Sequence, residues 1–516
     1  RFRMIQPIWK PYFAQISKML DVAAEQAKDD NEKRIIATVR ALFDEFKDRD
    51  SIEKLKELGL SQRSLGAIYA VGLVPVMRLE LADAAAFRAA IARIEAKSGE
   101  KLATASIAGQ DYWRIGPTDA PMFGILAIEN DKHLVATFAP KNASEATLRA
   151  LLGIDRPAKS LGEVDTLRKL GKEHGYLPQG VGYIDIARAL ELLAGEHRGV
   201  DAEFAAAFAL PATPADATCR QEIAAIGAKM PRLTFGGRRM EANLDEMNAE
   251  LELDAALRQQ LAATIVTVPG LGAEEAAPFD IAVSLPVLKL KDFWIKQADA
   301  VAESPFKCAS LAKLNETFAE MKQGLDRTIP PPLSNILGLR LTLDKFVLGA
   351  DGMPDQAGSA MRVLVASDNP LLIVSMAQLA APQLKDLKLA PDGKPVALPA
   401  DALPLPVAVF VAANNGALAL AAGANAANAL PDYLAANAGD GKTFLRMRIG
   451  GEFYGIYGNL LARLASAVPE DQRGLFDLQR EWYARYAEWL ASSEVHTGLS
   501  ERGVTFTQTT RYKPSK

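Results

Sequence analysis

The chain has 516 residues, of which 49% are hydrophobic and 24% are charged, and its formal net charge is −4. This composition is that of an ordinary globular protein, long enough for roughly two to four domains with sizeable cores. A weakly acidic chain that shows no basic stripe does not favour nucleic-acid binding.

The first half of the chain predicts an alternation of strands and helices. Residues 77–81 alternate as a strand, and a helix with apolar residues at i, i+4 and i+7 follows. Residues 122–140 are typical of a hairpin with its turn at Asn130 and Asp131. Ser144 is a candidate N-cap for the helix after that hairpin. These elements predict an α+β unit, a mostly antiparallel sheet with helices packed on one face.

The end of the first half predicts a further hairpin with two chemically different faces. Met247, Ala249 and Leu251 alternate with Asn248 and Glu250. A strand with this alternation normally has one dry face and one wet face. We therefore expect the apolar side chains to face a core and the polar ones to face water.

The second half repeats the order of the first. "MRLELADAAAF" begins at Met77 and "MRVLVASDNPL" at Met361, 284 positions later, and each opens a strand. Trp9, in "PIWKPYF", pairs with Trp294, in "DFWIKQA", at an offset of 285 positions. A shared order of elements at a nearly constant spacing indicates an internal duplication.

The duplication predicts two tandem repeats, residues 1–275 and 276–516, related by a pseudo-two-fold axis. We expect a cleft or a continuous curved sheet between them. The second repeat begins with the strand-like segment 278–290 before Trp294, whereas only a few residues precede Trp9. We therefore expect the natural chain to carry an upstream strand, preceded by a signal or lipid-anchor segment.

Cys219 and Cys308 are the two cysteines of the chain. Each lies in a short segment near the junction of the halves, which favours a disulfide between them over two buried free thiols. Closing a loop of this length stabilises a fold by up to about 5 kcal/mol, and such a bond persists in an oxidising compartment. C-x-x-C spacing is absent, so the cysteines indicate neither a zinc site nor a redox motif.

The sequence motifs nominate no catalytic, metal or cofactor site. "ANAGDGKT" from Ala436 is similar to a phosphate-binding loop, but a predicted helix precedes it and a strand follows, the reverse of the required order. The four histidines lack metal-ligand spacing, and G-x-S-x-G is absent. The uncharged run Ala402–Pro431 is interrupted by prolines and an Asn-Asn-Gly turn, so we predict no transmembrane span.

Two aromatic stretches are candidates for a ligand or partner surface: Tyr112, Trp113 and Arg114 in a strand, and Trp482, Tyr486 and Trp489 in a helix. In the strand the two rings point to opposite faces, and an outward ring beside an arginine suits an anionic or amphiphilic ligand. In the helix the three rings share one face, and packing against a sheet is the alternative to partner binding.

The repeated strand–helix–hairpin units and the phrases "LGAIYAVGLVPVMRLELADAAAFRAAIARIE" and "DYWRIG" resemble uncharacterised envelope proteins of proteobacteria. This resemblance implies a secreted or lipid-anchored protein located in the periplasm or the outer envelope. It implies no catalytic residues.

These observations predict a non-enzymatic cell-envelope protein that binds a partner protein, a lipid or another apolar ligand in the cleft or curved sheet between its repeats. Two alternatives stay open: an assembly or scaffold protein that docks a partner through its aromatic C-terminal helix, and an enzyme of unrecognised type. An apolar cavity would favour the first hypothesis, an exposed aromatic patch over a solid core the second, and a cleft with buried titratable groups the third.

Overall fold

The computed structural model describes residues 13, 16–27, 29–47, 49, 51–116, 120–157, 164–194, 197–209, 216–349, 355, 357–403, 405–464 and 470–514. Side chains of residues 31, 52, 194 and 462–478 lie outside this description. Two antiparallel sheets, of six and twelve strands, combine with many helices. The α+β class predicted from the sequence is therefore confirmed.

The described helices vary from one turn to about five turns. Besides a helical stretch at 16–26, they are α1 Asp30–Lys47, α2 Ile52–Leu55, α3 Ala84–Ser98, α4 Glu145–Leu152, α5 Thr166–His174, α6 Ile186–Ala194, α7 Val200–Ala207, α8 Ala217–Lys229, α9 Ala255–Ala262, α10 Val287–Glu303, α11 Ala312–Leu325, α12 Pro370–Ala380, α13 Ala426–Leu434, α14 Gly451–Leu464 and α15 Glu470–Trp489.

The strands pair mostly as hairpins. They are β1 Gly66–Val71, β2 Val74–Glu80, β3 Ala103–Ile107, β4 Gln110–Ile115, β5 Met122–Glu129, β6 His133–Pro140, β7 Val181–Asp185, β8 Arg232–Met240, β9 Leu244–Glu252, β10 Phe279–Ser284, β11 Ile336–Lys345, β12 Ala360–Ser367, β13 Val396–Ala397, β14 Val409–Ala413, β15 Ala417–Ala422, β16 Thr443–Gly450, β17 Leu490–Leu499 and β18 Gly503–Tyr512.

The chain divides into two compact units. One comprises Arg1–Leu167, Arg188–Ile223 and Glu470–Leu478, and the other Arg168–Ala187, Ala224–Pro469 and Gln479–Lys516. The first unit contains the six-stranded sheet, and the second contains the whole twelve-stranded sheet. The boundary predicted at 275/276 separates two sequence repeats, not two compact units. The division into units therefore does not test it, and it stays a prediction.

Two local features of the first unit, a hairpin turn and a helix N-cap, are as the sequence predicts. Asn130 and Asp131 both have positive φ angles, 51° and 53°, as a tight hairpin turn requires. The Ser144 hydroxyl accepts a hydrogen bond from the Thr147 N–H at the start of α4, so the predicted N-cap is confirmed.

The six-stranded sheet has the order β1-β2-β6-β5-β4-β3 and helices on both faces. On one face Ile125 and Val135 pack with Leu151 of α4. On the other, Leu126 packs with Ile91 of α3. The sequence predicts helices on one face; the second helical layer exists because successive residues of these strands are both apolar, so each face of the sheet needs cover.

The twelve-stranded sheet has the order β13-β14-β15-β12-β11-β10-β16-β17-β18-β9-β8-β7. Its two hairpins β8–β9 and β17–β18 meet where β9 pairs with β18, with Asn248 opposite Thr507. The sheet therefore takes three strands from the first half of the sequence and nine from the second.

The two halves of the chain share a strand order. Strands β1-β2-β6-β5 follow one another in the first sheet as β11-β12-β15-β14 do in the second, and β7-β8-β9 match β16-β17-β18. Met77 and Met361 lie in the corresponding strands β2 and β12. This correspondence is what a duplication produces, but the duplication and its pseudo-two-fold axis stay predictions.

Cys219 and Cys308 are both disulfide-bonded. Since these are the two cysteines of the chain, the bond joins them, and the predicted disulfide is confirmed.

Candidate binding face

One face of the twelve-stranded sheet is almost entirely apolar. A first row of directly paired residues crosses ten strands: Phe235, Ala249, Phe506, Thr497, Leu445, Val283, Leu339, Val365, Leu418 and Ala413. A second row runs beside it: Met247, Gln508, Val495, Met447, Ile281, Leu341, Val363, Leu420, Val411 and Val396. Thr497 and Gln508 are the polar members of these rows. At about 4.8 Å per strand, each row is about 40–45 Å long.

Much of this face is open to solvent. Phe235, Met247 and Phe506 are 42%, 41% and 45% exposed, and Ile184 on the neighbouring strand β7 is 50% exposed. We name as the open face the exposed side chains of the sheet on this side: Ile184, Phe235, Met247, Phe506, Leu339, Leu341 and Met361. Apolar side chains that are exposed together on a sheet face mark a site of interaction with another molecule.

Helices cover the remainder of the same face. Near one edge of the sheet, Val374 of α12 packs with Val411 and Leu418. Near the centre, the ring of Phe453 on α14 stacks on that of Phe279, with centroids 5.2 Å apart. The open face thus has two parts, one on β7, β8, β9 and β18 and one on β11 and β12.

Around β9 the buried face of the sheet is the polar one, which reverses the expectation for this strand. On β12, β14 and β15 the same face is apolar, and Leu364, Ala412 and Ala419 pack there against α13. Asn248 and Glu250 are buried, whereas Met247 is exposed. The predicted assignment of apolar side chains to a core and polar ones to water is therefore wrong here. Its physical reason is that other buried polar groups, among them His174 and Tyr176, pack on this side and satisfy the polar side chains.

Asp280 is the centre of a fully buried charged network on that face. Its carboxylate accepts hydrogen bonds from Arg340, Arg446 and Thr342, with the Arg340 Nε–Asp280 Oδ1 distance at 3.0 Å. Glu494 accepts from Arg446 Nε at 2.7 Å. Burial acts to raise the pKa of Glu494, but the hydrogen bond with His496 and the charge of Arg446 lower it. Buried charges of this kind are tolerated because each has an ionic partner.

A polar pocket of about 510 Å³ lies beside this network. Tyr433 forms part of its lining, and the guanidinium carbons of Arg340 and Arg362 lie 4.3 and 4.6 Å from its ring centroid. Glu275 lies 3.0 Å from Arg340 and 3.3 Å from Arg362. Burial raises the pKa of the Tyr433 hydroxyl, so this group stays protonated at neutral pH.

The segment before β10 lies directly on this network. Gly270 has φ +108°, and a Cβ there would lie 2.3 Å from Arg340 Cδ. Glycine is therefore required at this position both by the backbone angle and by the close approach of the arginine.

A second buried cluster surrounds His174. Its Nδ1 lies 2.7 Å from Glu250 Oε2, and its ring stacks on that of Tyr176 with centroids 5.2 Å apart. Arg502 Nε lies 3.2 Å from Glu250 Oε2. Burial, and then the nearby Arg502 charge, lower the pKa of His174 although Glu250 and Glu252 oppose the shift. The imidazole is therefore neutral at pH 7.

The aromatic residues predicted in the strand of the first unit lie within its sheet. Tyr112 is 5% exposed and belongs to a core cluster, whereas Trp113 is half-buried among residues of the opposite face. The Arg114 guanidinium lies 3.9 Å from the ring centroid of Phe123. Tyr112 is thus a core residue in this structure, and a ligand role for Trp113 and Arg114 stays a prediction.

The aromatic residues predicted in the helix form an internal cluster. Trp482, Tyr486 and Trp489 are half-buried in α15. The ring of Tyr486 contacts that of Tyr454 on α14 at 5.3 Å, and Trp489 contacts Tyr512 of β18 at 4.4 Å. Packing within the unit accounts for this stripe, and its role in docking a partner stays a prediction.

Searches against known protein families, curated proteins and solved structures find no match to this chain. Among the described residues, no helix combines the length and apolarity needed to cross a membrane. In the same part of the chain, no three His, Cys, Asp or Glu side chains are grouped to hold a metal ion.

Proposed function

We propose that this protein is a non-enzymatic cell-envelope protein that binds the acyl chain of a lipid on the open face of its twelve-stranded sheet. The observation that carries the proposal is the pair of apolar rows whose side chains stay exposed on β8, β9 and β18. Fully covering one large apolar side chain is worth about 1.5–3 kcal/mol. An apolar chain lying across β8, β9 and β18 would therefore gain affinity from contacts with Phe235, Met247 and Phe506.

The pairing of the strands favours an acyl chain over a peptide. Strands β8, β9 and β18 each have a neighbour on both sides, so their backbone groups are used within the sheet. A ligand on this face must bind through side-chain contacts, and the two rows contain no charged residue. Hydrocarbon suits such a surface because it needs no hydrogen-bond partners.

The disulfide supports a location outside the cytoplasm. Disulfides form and persist in oxidising compartments, including the bacterial periplasm. The resemblance to proteobacterial envelope proteins points the same way, and a lipid-binding face would be useful close to a membrane. We therefore place the protein in the periplasm or the outer envelope as part of the proposal.

The charged network needs no substrate to explain it. Asp280, Arg340 and Arg446 have partners among themselves and with Glu275 and Glu494. Their mutual pairing supports a structural role in stabilising the sheet. The network is therefore weaker support for an enzyme than the open face is for a binding protein.

Native mass spectrometry tests the proposal. We expect the purified protein to carry lipid, to lose it on extraction and to take up a long-chain fatty acid such as palmitate. Phe506→Gln should weaken palmitate binding, whereas Leu379→Gln, an 81% exposed residue on α12 away from the sheet face, should not. Equal binding by both variants, or no uptake of palmitate by the wild type, would overturn the proposal.

A further inference from the structure

Strand β1 lies at one edge of the six-stranded sheet. Within the described part of the chain it pairs with β2 alone, in a continuous register that begins with Gly66 opposite Leu79. Immediately before this register, the Glu80 N–H donates to the Leu65 carbonyl at 2.8 Å. The phase of the pairing is therefore fixed.

This phase decides which backbone groups of β1 point away from the sheet. In an antiparallel pair, residues that bond to the neighbour alternate with residues that do not. Because Leu65 bonds to β2, the residues that direct their N–H and C=O groups outward are Gly66, Ile68 and Ala70. We name these three the outward residues of β1.

The sequence of β1 does not protect this edge. Natural edge strands are usually protected by a charge, a proline, a bulge or a covering segment. Strand β1 reads GAIYAV, with no charged residue and no proline, and its register on β2 contains no bulge. Gly66, Ala67, Ile68 and Ala70 are exposed, and Ile68 is 77% exposed. An edge of this kind pairs readily with a further strand.

The sequence of β1 is complementary to itself. If a second β1 lies antiparallel about a two-fold axis at Ile68, then Ile68 is opposite its own copy, Gly66 is opposite Ala70, and Ala67 is opposite Tyr69. Outward residues then meet outward residues, which allows about six N–H···O bonds. The large Tyr69 side chain meets a small one, and no like charges meet.

The other edge of the same sheet is a poorer partner. Strand β3 ends at Ile107 in a two-residue turn to β4. The residues that close such a turn bond to each other, so in β3 the backbone groups of Thr104 and Ser106 point outward. Strand β3 therefore offers two outward residues against the three of β1, and a pairing of β1 with β3 would leave part of β1 unused.

We propose that this protein forms a dimer in which β1 of one copy pairs with β1 of a second copy. Met77 on β2 lies opposite Ile68 and is 37% exposed, so the two-fold axis brings four apolar side chains into one row. A strand of six residues is about 20 Å long. Its edge alone buries less than the 1,200–2,000 Å² of a typical stable interface, so we expect dissociation at roughly micromolar concentration. The proposal is independent of the proposed lipid binding.

Sedimentation velocity tests this proposal. The wild type should change from monomer to dimer as its concentration rises from about 1 to about 100 μM. Ile68→Lys places like charges directly opposite each other and should weaken dimerisation roughly tenfold or more. Thr104→Lys is the matched control, because it makes the same change at an exposed position of β3 and should leave dimerisation unchanged.

A mixture of two variants tests the position of the two-fold axis. Ile68→Lys and Ile68→Glu should each dimerise poorly. An equimolar mixture of the two should dimerise again, because the position opposite to itself then carries opposite charges. Circular dichroism establishes that each variant is folded, as expected for a change at an exposed side chain.

Amide exchange of the wild type gives a readout that needs no variant. The Ile68 amide should exchange more slowly as the protein concentration rises, because its N–H becomes bonded in the dimer. The Tyr69 amide is the internal control, since it bonds to β2 in monomer and dimer alike.

Four outcomes would overturn the proposal. They are a wild type that stays monomeric up to about 100 μM, a loss of dimer in Thr104→Lys that equals or exceeds the loss in Ile68→Lys, a mixture that fails to dimerise, and an Ile68 amide whose exchange is independent of concentration. Palmitate binding by Ile68→Lys should equal that of the wild type, so a failure of the lipid proposal is distinguishable from a failure of this one.

Discussion

Asp280 and Arg446 lie on the neighbouring strands β10 and β16, and both side chains are completely buried in direct ionic contact. Arg340 on the other side of β10 reaches the same carboxylate. One buried acid therefore contacts two buried guanidinium groups at the centre of the sheet, and Glu275 and Glu494 supply their other ionic partners.

Replacing this acid should destabilise the second unit strongly. Asp280→Ala would leave Arg340 and Arg446 with less compensating charge, and breaking a buried pair in this way costs about 3–5 kcal/mol. The control is Glu241→Ala, because Glu241 forms an exposed pair with Arg239 that should contribute less than about 1 kcal/mol. Urea denaturation of both variants measures the difference. A similar loss in the two variants would contradict the importance of the buried network.

The neutral state of His174 predicts that stability falls in mild acid. Its pKa in the folded state is lowered, so between that pKa and the unfolded value of about 6.5 the unfolded chain binds more protons. The contribution of His174 to the free energy of unfolding is therefore fully present above about pH 6.5 and is lost as the pH falls below that value. Glu250, Glu252 and Arg502 face the imidazole and set the size of the effect.

Histidine substitutions separate this contribution from general acid denaturation. His174→Gln should flatten the dependence of melting temperature on pH between 7 and about 5. The control is Leu379→Gln, because Leu379 is 81% exposed and neither residue titrates, so this variant should leave that dependence unchanged. A wild-type slope in the His174 variant would show that its titration is not coupled to folding.

The disulfide should contribute measurably to stability. Replacing both Cys219 and Cys308 by serine should lower the free energy of unfolding by about 2–5 kcal/mol, because the unfolded chain regains the freedom of a long loop. A non-reducing peptide map should contain one cross-linked peptide pair, and reduction should separate it. Free thiols in protein isolated from its native host would remove the main support for an oxidising compartment.

A glycine in β7 positions one aromatic ring of the open face. A Cβ on Gly182 would lie 2.5 Å from Phe235 Cε2, so Gly182→Ala must displace the ring. If the open face binds lipid, palmitate affinity should fall roughly threefold to tenfold, the effect of about 1 kcal/mol of lost apolar contact. Gly324→Ala is the control because its added Cβ meets nothing within 4 Å. Calorimetric titration gives both affinities.

The sequence predicts those features whose cause is local. The hairpin turn at Asn130 needs two positive φ angles, and the N-cap at Ser144 needs one hydroxyl. Both follow from residue type within a few positions. The disulfide could be predicted because two cysteines allow a single pairing.

The candidate site could not be predicted, because it depends on contacts between distant residues. The alternation of Met247 with Asn248 identifies two faces but cannot decide which of them is covered. That choice is made by His174, Tyr176 and Arg502, which are remote from β9 in sequence. The exposed Met247 and the buried Glu250 are therefore properties of the tertiary structure.

Cross-linking with a photoactivatable palmitate analogue tests the central claim most directly. After irradiation and digestion, we expect labelled peptides from β8, β9 and β18, at or beside Phe235, Met247 and Phe506, with unlabelled palmitate competing for the site. Labels confined to the polar pocket around Tyr433, or labelling that unlabelled palmitate does not reduce, would contradict a lipid-binding sheet face.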